Sequence, residues 1–162
     1  FDIVYSVEKN GAAAGDEIVV LSPDRATLAK RRWRGLAQDG REFGFNLDGL
    51  KAVTPRLTDP GSKSSKQPKY AENEFRSAKP ELMVMEGVCT HLGCSPSEKF
   101  APGTSQGMTA DWPGGFLCPC HGSLFDLAGR VYKNKPAPDN LEVPPYMFLS
   151  DSKLLIGEDK KA

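Results

Sequence analysis

Every cysteine and every histidine of this 162-residue chain falls in one of two hexapeptides, CTHLGC (89–94) and CPCHGS (118–123). Four cysteines and two histidines thus share twelve positions, a density that scattered core cysteines and surface histidines do not produce. Thiolate and imidazole are the donors that zinc, copper and iron prefer. The region from 87 to 138 is also rich in glycine and proline, so it has little core of its own. A lobe of this composition is expected to be organised around a metal centre.

Three uses of the six side chains compete. A structural zinc site takes two Cys and two His, usually spaced C-x2–4-C and H-x3–5-H; here each hexapeptide contributes a near Cys–His pair instead. An all-cysteine iron–sulfur cluster is favoured by the C-x4-C interval of Cys89 and Cys94, but the further C-x2-C step is missing. In a mixed cluster, two thiolates hold one iron and two imidazoles the other.

The rest of the chain reads as all-β. Thirteen prolines, sixteen glycines and short alternating apolar runs mark strands at 3–7, 17–21, 42–47, 81–85, 115–118, 130–132, 146–149 and 153–157. Ser22-Pro23 followed by DRATLAKR has the N-cap and first-turn proline of one short helix. DPGSKSSKQPK (59–69) reads as a surface linker. The organisation expected is a single domain: an antiparallel sandwich base from 1–86 and 139–162, with the lobe at 87–138 inserted in it.

Lysine plus arginine equals aspartate plus glutamate, 21 each, so no net field draws the chain to nucleic acid or an anionic membrane. The basic run KRRWR (30–34) reads as a solvated strand or helix face. No stretch approaches the ~20 apolar residues of a membrane span. GTSQG (103–107) fits a hydrolase elbow in letters only, because both histidines already belong to the hexapeptides.

The two hexapeptides together match C-x-H-x-x-C … C-x-C-H-x-x, and the chain resembles the Rieske iron–sulfur proteins on them. GVCTHLGCSP, the PAP at 136–138 and NLEVPPYMFLSD (140–151) resemble more closely the Rieske subunits of proteobacterial ubiquinol–cytochrome c reductases. The resemblance implies one [2Fe–2S] cluster, with Cys89 and Cys118 on the inner iron and His91 and His121 on the outer. It implies a Cys94–Cys120 disulfide, and hence an oxidising compartment. It further implies electron transfer from a quinol, at a cytochrome b subunit, to a cytochrome c-type subunit. The head would lie on the periplasmic side of a bacterial inner membrane, held by an N-terminal anchor outside this sequence.

Replacing two thiolates by neutral imidazoles lowers the negative charge at a cluster. Rieske centres as a class accordingly span roughly −150 to +300 mV, against roughly −400 mV for plant-type ferredoxins. The resemblance gives Ser123 the role of a hydroxyl donor toward a cluster sulfide, and donors to sulfur raise the potential. Leu92 and Gly93 would screen the cluster and form a docking tip, and Pro136 would belong to a covering loop stiffened by proline. Phe125 stands where quinol-oxidising relatives usually carry a tyrosine that donates to a ligand sulfur. It keeps the ring and lacks the O–H, so a lower potential than that of tyrosine-bearing relatives is expected. The rivals are an arsenite-oxidase-type Rieske subunit, an oxygenase ferredoxin, which usually lacks the two extra cysteines, and a zinc-stabilised interaction module.

Overall fold

The computed structural model describes residues 3–7, 17–21, 27–32, 47–79, 82–150 and 153–160, with the strands before residue 47 described as backbone. Strands β1 (Ile3–Val7) and β4 (Leu82–Glu86) form an antiparallel pair. Strands β2 (Glu17–Leu21), β3 (Thr27–Arg32), β8 (Tyr146–Ser150) and β9 (Lys153–Ile156) form a sheet of order β3-β2-β9-β8. Strands β5 (Ser97–Lys99), β6 (Gly115–Leu117) and β7 (Leu124–Phe125) form a third sheet in chain order. The all-β reading therefore holds, with one refinement. β2 and β9, from the two ends of the chain, run parallel, with Val19 opposite Lys153 and Leu21 opposite Leu155, so this sheet is mixed.

The expected helix after Ser22 is corrected by β3. Thr27–Arg32 pairs antiparallel with β2, Glu17 opposite Arg32 and Val20 opposite Ala29. A helix of this length is marginal in water without packing, whereas the ladder to β2 supplies its backbone partners at once. Residues 22–26 lie outside the described residues, as do 42–46 of the expected strand at 42–47, and Leu47 opens α1 (Leu47–Val53) instead. The basic run sits in β3 as far as Arg32, while Trp33 and Arg34 are not described. The expected strand at 130–132 reduces to two isolated bridges, Val131 with Phe125 and Tyr132 with Leu57. GTSQ (103–106) is a 3-10 turn without the preceding strand a nucleophile elbow needs.

Three apolar clusters hold these elements. Ala71, Val84, Val143, Tyr146, Leu154 and Ile156 pack beneath β8 and β9. There the Tyr70 hydroxyl donates to the Tyr146 carbonyl and accepts from its N–H, standing in for a neighbouring strand at that edge of β8. Val53, Leu57, Trp112 and Tyr132 clamp the 100–113 insertion onto α1 and the turn after it. The third cluster includes Met85, Phe116, Phe125, Ala128 and the two buried cysteines Cys89 and Cys118.

The segment at 59–69 is not a plain surface linker. Ser62 and Ser65 are buried, and Asp59 gathers the N–H groups of Lys63, Ser64 and Ser65 with the hydroxyls of Ser64 and Ser65. Burial raises the Asp59 pKa, but the N–H groups of Lys63 and Ser64 and the serine hydroxyls outweigh it and hold the carboxyl below its ordinary value. Composition marked the turn and missed its burial, because the serines satisfy backbone and buried side chains instead of water.

The β6–β7 hairpin places the second hexapeptide, since residues 118–123 are its connecting loop. Its closeness depends on Gly115 at φ 149, where a Cβ would stand 2.1 Å from the Phe125 carbonyl oxygen and 3.0 Å from the Asp126 Cα. Both obstacles are backbone and cannot swing away. Gly115→Ala is therefore expected to destabilise the protein by at least ~3 kcal/mol, lowering Tm by roughly 10 °C for a chain of this size. Thermal unfolding checks this, and an unchanged Tm would show that the hairpin opens without cost.

Candidate metal centre

The two hexapeptides form the same turn. In the first, which links β4 to β5, Cys89 N–H donates to the Cys94 carbonyl at 2.8 Å and Gly93 N–H donates to the Cys89 carbonyl at 2.9 Å. In the second, Cys118 N–H donates to the Ser123 carbonyl at 2.8 Å and Gly122 N–H to the Cys118 carbonyl at 3.0 Å. Each turn closes on a glycine four residues after its leading cysteine, Gly93 at φ 83 and Gly122 at φ 78. That left-handed backbone suits glycine. The shared offset was visible in the sequence as the G of CTHLGC and of CPCHGS, a signal the ligand spacing overshadowed.

The turns aim their side chains in two directions. Cys89 and Cys118, the leading residue of each turn, are free thiols, each 2% exposed in the apolar cluster. Burial pushes the Cys89 thiol up; the His91 N–H and the Ser123 hydroxyl pull it down, and the neighbouring Cys118 pushes it up. Burial of Cys89 favours its neutral thiol, and a bound cation would favour the thiolate. On the outer side, the rings of His91 and His121 meet edge to face, their centroids 4.8 Å apart. His91 is half-buried and His121 exposed. The Nδ1 of His91 is buried and has no hydrogen-bond partner among the described residues. An orphaned buried imidazole nitrogen, on a ring that meets a second imidazole, fits a metal-binding role better than a packing one.

Cys94 and Cys120 are joined as a disulfide with their α-carbons 6.6 Å apart, which ties one turn to the other. The sulfurs of Cys94, Cys118 and Cys120 lie within 4.8 Å of one another, but two of them are bonded together. Cys118 is therefore the only thiolate donor in that trio. Four donors remain, two Cys and two His.

A third loop closes over both turns. The Ala137 N–H donates to Ser123 Oγ at 2.9 Å, and the Thr90 hydroxyl donates to the Asp139 carbonyl at 2.6 Å. Pro136, just before Ala137, is exposed, as are Lys135 and Gly93, and Leu92 is 71% exposed at the tip. Ser123 is fully buried, facing Cys89 and holding the covering loop at once. Phe125 is fully buried beside the two thiols. The sequence had not singled out Thr90 or Ala137, whose contacts depend on loops 49 and 14 residues apart.

Beneath the site lies a charged layer the sequence also left unread. Arg130 pairs with Asp126 through Nε and Nη2, both at 2.8 Å, and donates to the carbonyls of Pro60 and Leu50. Asp126 Oδ1 accepts the N–H groups of Ala128 and Arg130, fixing the turn that follows β7. Asn140 links Val131 to Asp59 through its side chain. These groups carry the ligand hairpin on a rigid polar base.

A family model described as the Rieske [2Fe-2S] domain matches residues 69–146. The ubiquinol–cytochrome c reductase iron–sulfur subunit of Allochromatium vinosum is 45% identical over 156 residues, covering 93% of this chain and 72% of that protein. The subunit of the same name from Rhodospirillum rubrum is 48% identical over 146 residues, 90% of this chain and 72% of that protein. A mitochondrial cytochrome b-c1 complex Rieske subunit of Arabidopsis thaliana is 40% identical over 146 residues, although the chain spans only 47% of its length. Paired turns with two buried thiols and two outward imidazoles, tied by a disulfide and matched along most of the sequence, make this chain a member of the Rieske family of electron-transport proteins, with one [2Fe–2S] cluster.

Proposed function

We propose that the chain is the redox head of a quinol–cytochrome c reductase, the activity named for its bacterial relatives. Cys89 and Cys118 hold the inner iron, and His91 and His121 hold the outer. The observation that carries this reading is the polarity of the site, with thiols 2% exposed inside, His91 half-buried and His121 exposed. When bound, the cluster takes up and gives back one electron, at a potential raised by its two neutral ligands. With Nδ1 of His91 turned inward, Nε2 is the nitrogen left to meet substrate. An exposed imidazole at His121 can accept a hydrogen bond from a hydroquinone hydroxyl and hold its proton while the electron leaves. The buried side, sealed by Phe125 and Ser123, excludes water from the sulfurs.

The subdomain at 87–138 is the working head of this proposal, seated on a base from 1–86 and 139–162. Leu92 and Gly93 with Pro136 form the surface that enters the quinol site of a cytochrome b subunit and then meets a cytochrome c-type subunit. The disulfide supports a position on the periplasmic side of a bacterial inner membrane. Among the described residues no helix is long and apolar enough to cross a membrane.

The ligand set is tested by electron–nuclear resonance on the reduced protein, where two strongly coupled nitrogens are expected. A colourless, zinc-loaded protein or a single nitrogen coupling overturns the assignment. Docking is tested in the assembled complex with Leu92→Asp. Turnover is expected to fall at least tenfold, about 1.4 kcal/mol in the barrier, with the cluster spectrum intact; unchanged turnover removes the tip from the quinol site. Phe125→Tyr is expected to raise the midpoint, because a phenol O–H beside the thiolates stabilises the reduced, more negative cluster. If that O–H finds no sulfur, it is a buried unpaired donor costing about 1–3 kcal/mol, and redox titration will show no rise while Tm falls.

A further inference from the structure

Three side chains of the charged residue types are fully buried among the described residues: Arg76, Asp126 and Arg130. Asp126 is engaged by Arg130 on both its oxygens, leaving one guanidinium without a buried carboxylate. Arg76 donates to Ser62 Oγ at 2.7 Å, to the Ala128 and Gly129 carbonyls at 3.2 Å, and to the Leu141 carbonyl. Each of these acceptors is neutral. A buried cation solvated only by neutral groups is costly relative to one paired or in water. Burial accordingly pushes the Arg76 pKa down to about 10, which still leaves it charged at neutral pH.

The backbone is also arranged to put it there. Arg76 sits at φ 55, a left-handed conformation that is unfavourable for a non-glycine residue. Asn73 pins that turn, its Oδ1 accepting the Phe75 N–H and its Nδ2 donating to the Tyr70 and Ser77 carbonyls. The guanidinium reaches the turn after β7, where Arg76 Nη1 and Met85 Sδ crowd the same side of Gly129. Met85 and Ala128 belong to the apolar cluster that contains Cys89 and Cys118. One apolar layer thus separates an ionically unpaired cation from the thiols, and such a layer screens a field weakly.

We propose that Arg76 is a tuning residue whose buried charge raises the reduction potential of the cluster, favouring the reduced state by its field. This rests on the assignment of Cys89 and Cys118 as ligands. Asp59, half-buried, acts on Arg76 as does the buried Asp126, and opposes that field.

The test is redox titration of the cluster-loaded protein in three variants, with Tm measured alongside. Arg76→Met removes charge at similar volume and is expected to shift the midpoint downward. Arg76→Lys keeps the charge but loses the fork, and is expected to lose thermal stability while holding the midpoint near that of the parent. An unchanged midpoint in Arg76→Met, or an equal fall in Arg76→Lys, overturns the proposal and leaves a purely structural arginine. Should Arg76→Met fail to fold, Asp59→Asn decides: an upward shift supports the proposal, and an unchanged or lowered midpoint overturns it. Failure of the ligand assignment is distinguishable, because it removes the paired nitrogen couplings from the parent protein, whereas failure here leaves them intact.

Discussion

The site depends first on holding two six-residue turns face to face. Neither turn buries enough to hold itself: each offers one buried cysteine and a rim of exposed side chains. The Cys94–Cys120 bond closes a loop of 26 residues, a constraint worth roughly 3–4 kcal/mol in chain entropy. It acts at the outer end of the turns, while Cys89 and Cys118 converge at the inner end. The Ala137 and Thr90 hydrogen bonds close the third side. Each tie restrains a direction the others leave open, so the donors converge without a large lobe core.

The same arrangement separates the chemistry by depth. Sulfur is easily oxidised and gains from exclusion of water, whereas an imidazole must be reached to exchange a proton. Placing the cysteine at the start of each turn, where the chain leaves the sheet, sends it inward; placing the histidine two or three residues later sends it out. The glycine at the fourth position then returns the chain to the lobe. The order of letters in each hexapeptide is thus an order in depth.

Much of this was legible because it is local. The disulfide partners and the strands at 3–7 and 17–21 depend on short patterns, and the structure has them where the pattern does. β3 was misread because its helix-like composition is overruled by its ladder to β2, a pairing that composition and capping letters do not show. Ser62, Arg76 and Asn140 were unread for a related reason. A serine in a polar loop, an arginine and an asparagine look like surface residues until chain segments up to 78 positions apart bring them together. Phe125 was singled out by contrast with relatives, which shows a missing hydroxyl but not how tightly its ring is enclosed.

The buried layer beneath the hairpin has an energetic consequence that the ligand turns alone do not reveal. Arg130 and Asp126 cancel in charge and fix geometry, whereas Arg76 fixes geometry and leaves its charge over. A lysine there would lack the planar fork that spans carbonyls from two segments. An apolar residue would leave those carbonyls unpaired and remove the field. Mechanical support alone asks only for donors, and neutral ones suffice. Keeping a guanidinium at φ 55 in a fully buried position costs more than such support requires. The excess is understandable if the charge itself is used, and Met85, beside the guanidinium at Gly129, belongs to the apolar cluster that holds Cys89 and Cys118.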